Sequence, residues 1–191
     1  MTKNLTDGTT VQTVHELLAH ALAMETEAAE RYGELADQMQ THRRTAVAAI
    51  FRRLEIAERN HLVDFTAMCE DVPLPHYAPW DFKWRSNESP EAIDIGRVHY
   101  HLSVREALQL ALEHEHEATE FYAGVADTAQ APDVIALARQ FALMKNANTL
   151  AGWKPVWPNP GPAIRWQART PIRHCVRNSH ARQANRPRQY F

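Results

Sequence analysis

The sequence contains little cysteine and no long apolar segment. Its two cysteines, Cys69 and Cys175, are too few for a disulfide framework or for a site of four thiolates. The longest apolar runs, such as residues 46–51, are far shorter than the roughly 20 residues that a bilayer-spanning helix needs. The first ten residues include no apolar stretch typical of a secretion signal, so we expect a cytoplasmic protein without membrane association.

Acidic residues are absent from the C-terminal part of the chain. Residues 153–191 contain eight basic residues and no acidic one, with six of the eleven prolines and three of the five tryptophans. Because this segment shows neither helical nor strand periodicity, we expect an irregular or disordered tail. A nucleic-acid-binding arm is the alternative interpretation, but we do not expect a nucleic-acid partner.

Residues 1–152 show helical periodicity in four segments, with apolar side chains at three- and four-residue spacing. Thr13 with Glu16, and Ser103 with Glu106, form capping boxes that mark the first and third helix starts. Pro132 suits the first turn of the fourth helix. The predicted helices cover residues 13–39, 44–69, 103–128 and a segment beginning at about 132. No segment alternates with period two, so the predicted fold class is all-α.

The connection over residues 70–102 is long, and four prolines keep it from continuing as helix. Residues 25–37 match residues 115–127 at seven of thirteen positions, so the first and third helices are related by an internal repeat. Both features predict two helical hairpins joined by a crossover, the arrangement of ferritin-like four-helix bundles. We therefore predict a bundle domain over residues 1–152, followed by the tail.

Three glutamates lie on the apolar stripes of the predicted helices. They are Glu25, Glu58 and Glu115, and His61 follows Glu58 by three residues on the same face. A buried carboxylate is costly unless it is paired, protonated or bound to a metal. One such residue alone is better explained as a boundary position, but repeat-related glutamates predict an oxygen-rich metal site with one imidazole. Such a site suits iron or manganese better than structural zinc.

Other polar and aromatic residues lie near these glutamates in the sequence. Tyr32 and Tyr122 follow the first and third glutamates by seven residues, and are candidates either for hydrogen-bond donors to the site or for ordinary core residues. Glu55, one turn before Glu58, is a candidate for a supporting carboxylate, but we expect it to be a solvated neighbour. His114 and His116 flank Glu115 without sharing its face, and we do not assign them as ligands.

The motifs in ALAMETEAAERY and FRRLEIAERNH, followed by a second Glu-to-Tyr spacing, resemble the rubrerythrin-type di-iron proteins of the ferritin-like superfamily. The resemblance covers about residues 13–144. It implies that Glu25 is a terminal ligand of one iron, that Glu58 bridges and shares that iron with His61, and that Glu115 is a terminal ligand of the second iron.

The same resemblance implies an oxidoreductase that reduces peroxide or dioxygen at iron, with manganese the less favoured metal. Full rubrerythrins add a four-cysteine rubredoxin-like domain that this chain lacks, so a separate protein must donate electrons. We also expect a homodimer. The alternatives are a ferroxidase or iron-storage protein, and a non-catalytic helical scaffold with a degraded metal site.

The fourth helix lacks the second Glu-x-x-His that the family pattern requires. The repeat offset puts Asn148 and Ala151 opposite Glu58 and His61, while Lys145 and Asn148 occupy the wall where a bridging carboxylate and a second imidazole belong. The second iron would therefore lack both ligands, and one iron is the more plausible content.

The genetic code offers an explanation for this loss. A reading frame that starts at the third base of the Met144 codon must encode Glu, because ATG precedes a lysine codon, and it can continue as Glu-Arg-Glu-His. We hypothesise that residues from about 144 onward are read out of frame. The alternative is a divergent tail with a lost half-site.

Overall fold

A computed structural model describes residues 10–85, 88–92 and 98–152, with side chains up to residue 146. These residues form four α-helices. The described residues contain no strand, so the all-α prediction is confirmed. The helices are α1 (Val14–Thr41), α2 (Thr45–Met68), α3 (Val104–Thr128) and α4 (Pro132–Gly152). No helix in these ranges has the length and apolarity needed to cross a membrane. The predicted tail, residues 153–191, lies outside the described residues.

Both predicted capping boxes form at the starts of α1 and α3. Thr13 Oγ1 accepts a hydrogen bond from the Glu16 amide at 3.1 Å, and Glu16 Oε2 accepts one from the Thr13 amide at 3.0 Å. Ser103 and Glu106 make the same reciprocal pair at 3.2 and 2.7 Å. The repeat-related helices therefore begin in the same way, because the cap satisfies amides that have no partner within the helix.

Two helical hairpins build the bundle. A turn of three residues joins α1 to α2, and its middle residue, Arg43, has a φ of 57°. A similarly short turn joins α3 to α4, and each helix packs mainly against its hairpin partner. Further contacts of α2 with α3, and of α1 with α4, close the bundle. This arrangement confirms the predicted pair of hairpins joined by a long crossover.

The crossover between α2 and α3 is fixed to the bundle at two points. Lys83, near its middle, donates to Glu16 Oε1 through Nζ at 2.9 Å and to His20 Nε2 through its amide at 2.9 Å. Near its C-terminal end, the Leu102 carbonyl accepts a hydrogen bond from Arg44 at 3.1 Å, and Leu102 itself is buried. A short 3₁₀ helix, Pro79–Asp81, lies just before Lys83. The crossover therefore runs beside the helices and can supply side chains to the interior.

The buried apolar side chains of the described residues form two clusters. One includes Met24 of α1 and Phe65 of α2, and the other includes Ala28 of α1 and Phe51 of α2. Glu25 lies between Met24 and Ala28 in the sequence, so the change from one cluster to the next occurs where a buried carboxylate enters the bundle. The candidate site is therefore enclosed by apolar side chains on two sides.

Candidate metal centre

Three of the four predicted ligands lie together inside the bundle. One ligand atom each from Glu25, Glu58 and His61 can be chosen so that all lie within 4.8 Å of one another. His61 Nδ1 is 2.9 Å from Glu58 Oε2 and 3.4 Å from Glu25 Oε2. Glu25 is 0% exposed and Glu58 is 3% exposed. The close packing of α1 against α2 brings these side chains together.

Lys145 of α4 is also fully buried, at 0% exposure, and its ammonium lies among carboxylates. Nζ is 3.0 Å from Glu25 Oε1, 3.5 Å from Glu58 Oε2 and 2.5 Å from Glu91 Oε1. It is 3.9 Å from Glu115 Oε2. Lys145 was expected on this wall of the bundle, and its ammonium lies at the centre of the four carboxylates.

Glu115 does not join the group formed by Glu25, Glu58 and His61. Its side chain is 12% exposed and lies 3.9 Å from the Lys145 ammonium. The predicted set of four ligands is therefore divided in the structure. Three side chains surround one possible metal position, and the fourth lies beside the ammonium.

Glu91 is the residue of the site that the sequence analysis missed. It lies in the crossover, is buried at 3% exposure, and makes the shortest of the Lys145 contacts. A turn closed by a 2.9 Å hydrogen bond from the Ala92 amide to the Ser89 carbonyl carries it into the bundle. Pro90 at the second position of this turn is a recognisable turn signal. That signal predicts the turn but does not indicate which way the carboxylate faces.

The repeat offset placed Asn148 opposite Glu58, and the structure shows Lys145, three residues earlier, beside the carboxylates. Residues three apart share one face of a helix, so the position of Lys145 does not test the placement of Asn148. Asn148 and Ala151 lie in α4, but their side chains are outside the described set.

Burial and close charges shift the pKa values of the three grouped residues. Burial raises the pKa of Glu25, and Lys145 and His61 offset this only in part. Burial acts in the same direction on Glu58, but Lys145 and His61 outweigh it and hold that pKa below its usual range. Burial lowers the pKa of His61, yet the hydrogen bonds to Glu25 and Glu58 outweigh burial and raise it to about 10. A metal ion binding here must displace the His61 proton.

The residues around the ammonium are also strongly perturbed. Burial raises the pKa of Glu91 well above its usual range and that of Glu115 to about 7, with Lys145 opposing both shifts. Burial lowers the pKa of Lys145, but the surrounding carboxylates outweigh this and raise it well above its usual range. Lys145 is therefore an ammonium at neutral pH.

Both candidate tyrosines are buried, but their hydroxyl groups differ. Tyr32 Oη lies 3.4 Å from Nδ1 of His114, which is also buried. Tyr122 Oη is buried without a hydrogen-bond partner in the described part of the chain. The carboxylates of Glu25, Glu91 and Glu115 are among the charges that act on Tyr122. Tyr122 is therefore the tyrosine with a free donor near the site.

The expectation that Glu55 is solvated is wrong. Its side chain is 10% exposed and accepts hydrogen bonds from Arg59 at 2.9 and 3.0 Å and from Arg52. A Cβ at Gly33 of α1 would lie 3.1 Å from the Glu55 carboxylate, so the absence of a side chain there makes room for it. Phe51, one turn earlier, is fully buried. The inner face of α2 is therefore wider than the predicted stripe. It includes Phe51 and Glu55, which follow stripe residues directly and lie about 100° from them around the helix.

The donor set fits one metal ion. Two buried carboxylates and one imidazole, all within reach of a common point, are ligands that iron and manganese accept. The residues around Lys145 Nζ do not fit a second ion, because an ammonium occupies the point where four carboxylates converge. The described residues therefore fit a mononuclear centre better than a binuclear one.

Two hairpins, a crossover and inward carboxylates define a four-helix bundle protein of the ferritin-like type. The rubrerythrin family model matches residues 16–147, and the chain belongs to this family of ferritin-like di-iron proteins. The search of curated proteins gives no match. The chain is similar to an uncharacterized conserved protein from Magnetospirillum magnetotacticum MS-1, known from a crystal structure. The two are 31% identical with a TM-score of 0.57, over 79% of this chain and 99% of that one.

Proposed function

We propose that the chain is a rubrerythrin-type oxidoreductase that binds iron through Glu25, Glu58 and His61 and reduces hydrogen peroxide. The observation that carries the proposal is the convergence of these three buried side chains within 4.8 Å. Iron bound there would supply single-electron chemistry and Lewis acidity. Reduction of peroxide to water consumes an electron pair and a pair of protons. A separate electron-donor protein and solvent must supply them.

The chain's own residues position the metal and restrict access to it. Glu25 and Glu58 enter from α1 and α2 between the two apolar clusters, which keep bulk water from their inner oxygens. His61 is the most exposed of the three, with 17% of its side chain accessible, so this edge of the site is the one open to small molecules. A small oxidant such as peroxide is therefore better suited to the site than a large substrate.

Metal analysis tests the ligand assignment. We expect anaerobically loaded wild-type protein to retain iron, and the Glu58→Ala/His61→Ala variant to lose most of it, because two ligands of the centre are removed. His116→Ala/Glu117→Ala is the matched control, since this Glu/His pair is exposed on α3. Circular dichroism checks that each variant remains helical. Equal iron in the wild type and the site variant would contradict the assignment and favour a scaffold with a degraded site.

Stopped-flow mixing tests the choice of oxidant. Reduced, iron-loaded protein is mixed anaerobically with peroxide or, separately, with dioxygen, and the near-ultraviolet absorption is followed. We expect the faster reaction with peroxide. A faster reaction with dioxygen, accompanied by accumulation of a ferric mineral, would favour the ferroxidase or iron-storage alternative.

Size-exclusion chromatography with light scattering tests the expected homodimer. The proposed function does not depend on the result, because every ligand in the assignment comes from one chain.

A further inference from the structure

Four carboxylates contact the Lys145 ammonium, and each belongs to a different structural element. Glu25 comes from α1, Glu58 from α2, Glu91 from the crossover and Glu115 from α3. All four lie within 3.9 Å of Nζ, and Lys145 is fully buried. A point contacted by carboxylate oxygens from every other element of the bundle is a cation position.

Two of these carboxylates also belong to the metal site. Glu25 contacts Lys145 through Oε1 and His61 through Oε2, and Glu58 contacts both through Oε2. The centre therefore contains two adjacent cation positions that share Glu25 and Glu58. The first lies beside the imidazole, and the second lies between Glu91 and Glu115.

The buried ammonium and a second metal ion exclude each other at the second position. Nζ already takes the space between the carboxylates, and a divalent ion placed beside it would meet a like charge at short range in a weakly screened interior. Four carboxylates share the one ammonium, and the second oxygen of Glu25 and the Glu58 carboxylate also reach His61. Carboxylate oxygens therefore remain available for one divalent ion at the first position.

We propose that Lys145 Nζ permanently occupies the second cation position, so that the centre binds a single divalent ion through Glu25, Glu58 and His61. Glu91 and Glu115 then pair with the internal ammonium and do not bind a metal ion. The proposal rests on the proposed function, because it takes the Glu25, Glu58 and His61 site as real. It adds that Lys145 sets the number of ions bound.

Titration of the metal-free full-length protein with Mn²⁺ tests the proposal, with free Mn²⁺ measured by electron paramagnetic resonance. We expect about one ion per chain in the wild type and about two in Lys145→Met, which removes the charge and keeps a similar side-chain length. Lys145→Glu should also bind about two ions, since it adds a carboxylate. Lys83→Met is the matched control and should bind about one ion, because Lys83 pairs with Glu16 outside the centre.

A spectroscopic readout separates binding at the shared centre from adventitious binding. Two Mn²⁺ ions joined by shared carboxylates give a spin-coupled low-temperature signal, which we expect only from the Lys145 variants. Two ions per wild-type chain with this signal would overturn the proposal whether or not any variant folds. One ion in the folded Lys145 variants would also overturn it and leave Lys145 as a structural counter-ion. No bound ion in the wild type would instead contradict the proposed function.

Discussion

Tyr32 and Tyr122 occupy equivalent positions in the internal repeat but differ in hydrogen bonding. A buried hydroxyl without a partner costs about 1–3 kcal/mol, whereas a made hydrogen bond contributes about 1 kcal/mol. We therefore expect Tyr122→Phe to raise the free energy of unfolding of the metal-free protein by about 1 kcal/mol. Tyr32→Phe should lower it by a similar amount. Urea denaturation of both variants measures the difference.

The same pair of variants tests whether Tyr122 donates to a carboxylate of the loaded centre. If it does, adding metal should raise the Tm of Tyr122→Phe less than that of the wild type. The variant would lack a hydrogen bond to the loaded centre, and tighter metal binding to the folded state gives a larger rise in Tm. A loss of stability in metal-free Tyr122→Phe equal to that in Tyr32→Phe would show that Tyr122 is an ordinary core residue with a partner.

Residues of the site differ in how far sequence could predict them. Glu25 and Glu58 are identifiable because a charge on an apolar helical stripe has a defined direction. Glu91 has no such stripe, and the crossover offers several other carboxylates, so only the folded path distinguishes it. The burial of Glu55 depends on the space that Gly33 leaves across the helix interface. Long-range packing of this kind leaves no local pattern.

At the level of elements, Glu16 joins the start of α1 to the crossover. It caps α1 through Oε2 and pairs with Lys83 through Oε1 at 2.9 Å. Burial raises the pKa of Glu16, but Lys83 and the amides of Gln12 and Thr13 outweigh it and lower the pKa from 4.5 to about 2. Because the folded-state pKa lies below the unfolded-state value, Glu16 stabilises the fold above about pH 4.5. That contribution is lost as the pH falls toward 2.

We expect Glu16→Gln to lower stability at neutral pH and to flatten the fall in stability between about pH 4.5 and 2. Urea denaturation at a series of pH values measures this effect in the metal-free protein. Glu106→Gln is the matched control, since Glu106 makes the same capping box at α3, where the described contacts include no lysine. Equal pH dependence of stability in both variants would show that the helix cap alone, and not the contact with Lys83, causes the fall in stability at low pH.

The helices were the most predictable elements, because the signals that define them lie within each helix. Capping boxes and apolar spacing lie within one helix, so the predicted ends of the first three helices agree with the structure to within two residues. The crossover depends instead on contacts between distant residues, such as Lys83 with His20 and Arg44 with Leu102. Its length and its prolines predicted a connection along the bundle, but not the point at which it enters the interior.

At the level of the whole molecule, the composition changes close to the point where the family match ends. The rubrerythrin model matches residues 16–147, and the basic segment without acidic residues begins at residue 153. The alternative frame forces a Glu across codons 144 and 145 and allows Glu or Lys across codons 145 and 146, where the present chain has the buried Lys145. Read as Glu-Glu-Arg-Glu-His, that frame would replace the internal ammonium by a carboxylate and supply the missing Glu-x-x-His.

We expect the frame-restored chain to bind about two irons per subunit, because both cation positions would then have carboxylate ligands and no ammonium. Its Tm should also rise more on adding metal than that of the present chain, since each ion bound only by the folded state adds stability. Metal analysis and thermal unfolding of the two chains, side by side, measure both effects. Equal iron content and equal metal-dependent shifts in Tm would show that the restored segment does not complete the centre.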